Sequence, residues 1–197
     1  MQFSQRKFPQ VPRSERLMSA LEKVIRIFKP KVVVETGTYK GDGSTRIIAE
    51  AFGDEPPEAF YTIEISWALY HEAEQALRNL PFVKCIWGLS VDRLSAENFI
   101  RNDSFLRDHH LHPDLYIDSP EDPVSFYLKE IQGMSRDGKT SLYAPDRLLE
   151  HLLQRYRQKI PLIALDSAEE LGGLSFRKYC DCKETWPFAY SWMISTT

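Results

Sequence analysis

A surplus of positive charge is absent from this chain. Its 25 Lys and Arg stand against 28 Asp and Glu, a formal net charge of −3, so the overall balance offers no electrostatic footprint for nucleic acid or an anionic membrane. Cysteine is scarce. Cys85, Cys180 and Cys182 are an odd number without metal-type spacing, which argues against a disulfide framework and fits a reducing compartment. No run approaches the roughly 20 apolar residues needed to span a bilayer. Met1 to Arg13 is polar, carries two prolines and lacks the apolar centre of a signal peptide. A cytoplasmic location is the expectation. Internal repeats and low-complexity tracts are missing as well.

What is present is an alternation. At 197 residues, 43% hydrophobic and 12% aromatic, the chain is long enough for one domain with a sizeable core. Residues 1–13 read as an exposed arm and 14–197 as the domain. Ser14 is placed to cap a helix carrying Leu17, Leu21, Val24 and Phe28, which Pro30 stops. Runs rich in β-branched and aromatic residues follow at 32–35, 59–64, 82–87, 113–118 and 161–166, separated by helical patterns at 44–52, 67–80 and 96–108. Four of the five runs end in an acid: Glu35, Glu64, Asp118 and Asp166. This rhythm predicts a Rossmann-like α/β domain, a mostly parallel sheet with helices on both faces. Residues 119–160 exceed a simple crossover. Two helices are expected there, one opening at Asp122-Pro123 and one from Ala144-Pro145 to Lys159, joined by a polar stretch at 133–140, and they serve either as a lid or as decoration. His109, His110, His112 and Asp114 lie close in sequence, but a solvated turn before a strand explains them better than a metal site.

The densest stretch is Val32-Val33-Val34-Glu35-Thr36-Gly37-Thr38-Tyr39-Lys40-Gly41-Asp42-Gly43-Ser44-Thr45. A buried strand ends in an acid and passes through glycines that let a ligand approach the main chain. Ser44 and Thr45 then open a helix whose free amides attract an electron-rich group. The spacing, E-x-G-x-x-x-G-x-G-S-T, departs from the G-x-G-x-x-G dinucleotide fingerprint. That disfavours a nicotinamide-dependent oxidoreductase.

The pattern resembles motif I of the class I S-adenosylmethionine-dependent methyltransferases. The resemblance implies that Glu35, Thr36, Gly37, Thr38, Gly41 and Ser44 surround the methionine side of S-adenosylmethionine. It also implies that Glu64, at the carboxyl end of the second strand, accepts the two ribose hydroxyls. A surface loop or a helix cap is the plainer role for Glu64. Gly88, Leu89 and Ser90, after the third strand, are adenine contacts by resemblance only, and otherwise a strand-to-helix turn. Asp118 is the first choice for a group facing the methyl and its acceptor, and Asp166 the second. Either could instead hold a divalent cation that activates a hydroxyl, or simply cap a loop.

Runs at 125–130 and 165–168 look like a small bacterial branch of methyltransferase-like proteins. A full member of the family adds two more strands after the fifth, whereas Cys180 to Thr197 has room for one. A shortened methyltransferase is therefore expected, with an exposed sheet edge through which it self-associates. Its acceptor is expected to be a small molecule or saccharide, methylated on oxygen. The alternative is a catalytically inactive module of the same fold that binds the cofactor or regulates.

Overall fold

The 3.6-residue spacing of apolar residues through Leu21, Val24 and Phe28 and the β-branched run at Val32 give a helix followed by a strand. The computed structural model describes residues 15–108, 121–132, 145–159 and 161–165. In chain order the elements are α1 (Glu15–Phe28), β1 (Val32–Thr36), α2 (Ser44–Ala51), β2 (Ala59–Glu64), α3 (Trp67–Ala76), β3 (Val83–Trp87), α4 (Arg93–Asn102), α5 (Ser104–Arg107), α6 (Pro123–Gln132), α7 (Leu148–Arg155) and β4 (Pro161–Leu165). The described strands form one sheet in the order β3-β2-β1-β4. Every pairing is parallel: Glu35 lies opposite Thr62 and Ala164, and Glu64 opposite Trp87. The fold is Rossmann-like α/β.

Successive residues of a strand face opposite sides of the sheet, and the core divides accordingly. Val33, Phe60, Leu162 and Ala164 meet Leu21 of α1 and Ile47, Ile48 and Phe52 of the α2 region. Val32, Val34, Tyr61, Ile63 and Ile163 meet Leu149, Leu152 and Leu153 of α7 on the other face. Burial on both faces explains why β1 reads as three consecutive valines. A third cluster joins Leu89 and Val91 to Ala96, Ile100, Leu106, Tyr127, Leu128 and Ile131, packing α4, α5 and α6 together beyond β3.

Two expectations change. The helix foreseen at 96–108 begins earlier and is broken. Asp92 caps α4 by accepting from the Ser95 amide, and Asp103 leaves helical angles and accepts from the Leu106 amide to start α5. The second helix of the 119–160 region starts only at Leu148, because Pro145 to Arg147 runs as a strap along the segment after β3. The Leu89 amide donates to the Pro145 carbonyl, and the amides of Arg147, Leu148 and Leu149 donate to the carbonyls of Val91, Leu89 and Ser90. Next to β1, opposite β2, lies β4, the run expected as the fifth strand. The run at 113–118, residues 133–144 and the tail after Leu165 fall outside the described residues, and with them the expected shortening. Among the described residues no helix is long and apolar enough to cross a membrane.

Candidate functional site

The carboxyl ends of β1 and β2 carry Glu35 and Glu64 on the same side of the sheet as α2, since each is an even number of residues from Val33 or Phe60. Between them runs the turn from Gly37 to Gly43. Gly37 (φ 88°), Tyr39 (φ 52°) and Gly41 (φ 77°) all take left-handed backbone angles. Glycine accepts these freely, while tyrosine does so only where the surroundings hold it. A Cβ on Gly41 would lie 2.9 Å from Leu77 Cγ and 3.3 Å from the Ala73 Cα. Glycine is thus needed there for space as well as angle. The turn is pinned at its base, where the Gly37 amide donates to the Ile63 carbonyl at 3.0 Å and the Gly41 amide to the Thr38 carbonyl at 3.0 Å.

Glu64 supplies the third pin. The Tyr39 amide donates to its Oε2 at 2.7 Å and the Ser66 amide to its Oε1 at 2.8 Å. The Ile65 backbone also bonds this carboxylate, so three of its roughly four acceptor positions face the main chain. Glu64 is 5% exposed, and burial pushes its pKa up to about 7. The Ser66 and Tyr39 amides pull the other way, and the Glu130 charge on α6 adds to the rise.

Glu35 is wholly buried and faces inward to hydroxyls. Ser44 Oγ donates to Oε1 at 2.7 Å, and Thr45 Oγ1 and Thr62 Oγ1 donate to Oε2 at 2.5 and 2.7 Å. The acid at the end of β1 thereby fastens the first residues of α2, whose N-cap, Gly43, offers no side-chain cap. Thr62 Oγ1 also lies 2.6 Å from Thr38 Oγ1. The Cys85 thiol reaches Thr38 Oγ1 at 3.9 Å, and burial pushes its pKa up to about 12. Thr36 is buried at the strand end.

Gly88, Leu89 and Ser90 reach the same end of the sheet but turn toward the strap. The Gly88 amide donates to the Glu64 carbonyl, and a Cβ on Gly88 would meet Leu148 Cδ1 at 2.5 Å and the Pro145 carbonyl oxygen at 2.6 Å. Leu89 is buried in the cluster of α4 and α6. Two charged contacts secure the strap: the Arg147 guanidinium donates to Asp92 Oδ2 from Nε and Nη2 at 3.1 Å, and the Arg93 amide donates to Asp146 Oδ2 at 3.0 Å. Next to Glu64, the Trp67 and Trp87 rings meet edge to face at 4.7 Å, and Trp87 Nε1 donates to the Ile65 carbonyl.

The structure therefore brings together Glu35, Thr36, Gly37, Thr38, Gly41, Ser44 and Glu64. Asp118 and Asp166 lie outside the described residues. Thr45, Thr62 and the amides of Tyr39 and Ser66 were not among the candidates. Thr62 did leave a signal: it is a polar residue in the otherwise apolar run Ala59 to Ile63, two positions before Glu64 and so on the same face. Among the described residues no three His, Cys, Asp or Glu side chains cluster as metal ligands would.

No family model matches this chain, and no curated protein does. Several solved structures are similar to parts of it. An SAH-bound methyltransferase from Podospora anserina is 26% identical, at a TM-score of 0.36, over 45% of this chain and 39% of its own. The methyltransferase domain of bacterial CtHen1-C is 17% identical, at 0.32, over 39% of this chain and 41% of its own. A putative caffeoyl-CoA O-methyltransferase from Staphylococcus aureus is 16% identical, at 0.35, over 61% of this chain and 71% of its own. The match thus spans well under half the length of the first two. Scores this low carry neither their ligands nor their reactions over to this chain.

Proposed function

We propose that this chain is an S-adenosylmethionine-dependent methyltransferase that acts on a small-molecule or saccharide acceptor, with oxygen as the methylated atom. One observation carries the proposal: the Tyr39 amide, in a left-handed turn, donates to Glu64 Oε2 at 2.7 Å. It joins the turn after one parallel strand to a buried carboxylate at the end of its neighbour. In open α/β sheets ligands collect at that edge. The residues present suit a nucleoside bearing an amino acid. Glu64 is placed to accept from the ribose hydroxyls, and Gly37 and Thr38 let the amino-acid end approach the main chain, while Gly41 gives the turn its left-handed angle against Leu77 and Ala73.

In this proposal Glu35 acts from behind the turn, holding Ser44 and Thr45 at the start of α2, while Thr36 closes the strand end. Gly88, Leu89 and Ser90 form the adenine-side wall, with Pro145 and Leu148 laid against Gly88. The bound cofactor supplies an electrophilic methyl on its sulfonium centre. Alignment of the acceptor is the protein's main contribution to such a displacement, with a base where a hydroxyl must lose its proton. Asp118, then Asp166, are the proposed groups on the acceptor side, and self-association through a sheet edge is the proposed assembly.

Isothermal titration of the whole chain with S-adenosylmethionine and S-adenosylhomocysteine tests the site. Saturable binding that Glu64→Ala weakens at least tenfold is expected. Absence of binding by the folded chain would refute the proposal, and binding without methyl transfer to any acceptor in a broad screen would leave the non-catalytic module in its place.

A further inference from the structure

The hydroxyls behind the turn form a chain with a direction. Thr62 has a single hydroxyl hydrogen and gives it to Glu35 Oε2 at 2.7 Å. In the 2.6 Å contact between Thr62 and Thr38 the donor must then be Thr38. The Thr38 oxygen in turn accepts from the Cys85 thiol at 3.9 Å. Hydrogens therefore run from Cys85 on β3, through Thr38 in the turn and Thr62 on β2, to Glu35 on β1. Thr45 and Ser44 donate to the same carboxylate from the far side.

We propose that Thr62 is a positioning residue of the cofactor site, holding Thr38 and the left-handed turn by linking Thr38 Oγ1 to Glu35 Oε2. It deepens the cofactor assignment above and rests on it. Thr62 is the only member of this chain of bonds that touches both Glu35 and Thr38. Without its hydroxyl, Thr38 loses the acceptor for its hydrogen and Glu35 loses one of three hydroxyl donors, while Ser44 and Thr45 still hold α2. The damage falls on residues 37–41, where the Tyr39 amide meets Glu64. One-way donation also means that Thr38 can offer a ligand only an oxygen acceptor, which suits the ammonium of an amino-acid end and not its carboxylate.

The test compares Thr62→Val, nearly isosteric but without the hydroxyl, with Thr62→Ser, which keeps it. Leu153→Ala, on the buried face of α7, is the stability control. Hydrogen exchange of the Tyr39 and Gly41 amides is read against that of Phe60, whose amide donates to the Phe82 carbonyl. Thr62→Val is expected to raise the ratio at least tenfold and to weaken S-adenosylmethionine binding at least tenfold. Thr62→Ser and Leu153→Ala should stay within threefold of wild type in both. Should Thr62→Val not fold, Thr62→Ala, which also lacks any donor or acceptor there, replaces it and must show the same rise. An unchanged ratio, or Thr62→Ser behaving like Thr62→Val, overturns the proposal. A raised ratio in a chain that takes no cofactor supports the positioning of the turn and refutes only the ligand assigned to it.

Discussion

Thr62 Oγ1 donates to Glu35 Oε2 across the β1–β2 ladder, between two residues that are direct neighbours in parallel register. The two lie 27 positions apart in the chain. Their contact turns a buried acid, otherwise a heavy desolvation cost, into the anchor of a polar cluster. Hydrogen bonds to a charged group contribute about 1.5–3 kcal/mol each, more than neutral ones.

Glu35→Gln is expected to lower stability by about 2–4 kcal/mol, since an amide presents one oxygen and a donor group to three hydroxyls that now all donate. Urea unfolding checks this. A loss under about 0.5 kcal/mol would mean that the hydroxyls turn elsewhere at little cost.

Glu64 makes stability depend on pH. Its folded pKa of about 7 lies above the ordinary 4.5, so between those values the folded chain holds a proton that the unfolded chain has released. Stability therefore falls as pH rises from about 4.5 to about 7. At 1.36 kcal/mol per unit the full effect is of order 3 kcal/mol. Glu64→Gln is expected to flatten that slope in denaturant unfolding measured from pH 5 to pH 8. Cofactor affinity should run the opposite way and strengthen through pH 7, because the ionised carboxylate is the better acceptor for ribose hydroxyls. An affinity flat between pH 6 and pH 8 would separate Glu64 from the ligand.

Gly41 and Gly43 are two residues apart and are expected to answer differently to alanine. At Gly41 the left-handed angle and the contact with Leu77 combine, and a loss of about 2–4 kcal/mol follows from backbone strain and overpacking. A Cβ on Gly43 meets nothing within 4 Å, and Gly43→Ala should cost under about 1 kcal/mol as a weaker N-cap. Thermal unfolding of the two variants decides it: similar losses would mean that neither the angle nor Leu77 matters.

Cys85 is expected to resist alkylation. Burial pushes its thiol pKa to about 12, so the reactive thiolate is almost absent at neutral pH. Iodoacetamide treatment of the native chain at pH 8, followed by peptide mapping, should leave the Cys85 peptide unmodified until denaturant is added. Rapid labelling of that peptide in the folded state would contradict the packing around Thr38.

Much of the frame was legible in the residues. Val32 to Val34, Ala59 to Glu64 and Pro161 to Leu165 are strands buried on their faces, and such strands announce themselves as continuous apolar runs. The helical periodicity of α1 and α2, the glycines of the turn and the acids ending β1 and β2 were likewise local. The break at Asp103 was harder to see, because an aspartate between two apolar helical patterns fits a helix surface as well as a cap. The strap at Pro145 to Arg147 was hidden for another reason: its hydrogen bonds go to residues more than fifty positions earlier.

By itself the sequence determined the strands near 32–35, 59–64, 83–87 and 161–165 and the helices α1, α2 and α3, and that an acid and a glycine turn follow the first strand, because these depend on residue type and short-range periodicity. Only the tertiary structure decided that β4 lies beside β1, that Glu35 turns inward to Ser44, Thr45 and Thr62, and that Glu64 meets the Tyr39 amide. These are pairings across the sheet, set by register and burial, and a linear pattern does not name the partner. The same burial moved the pKa of Glu64, since desolvation belongs to the surroundings of a carboxylate and not to its place in the chain.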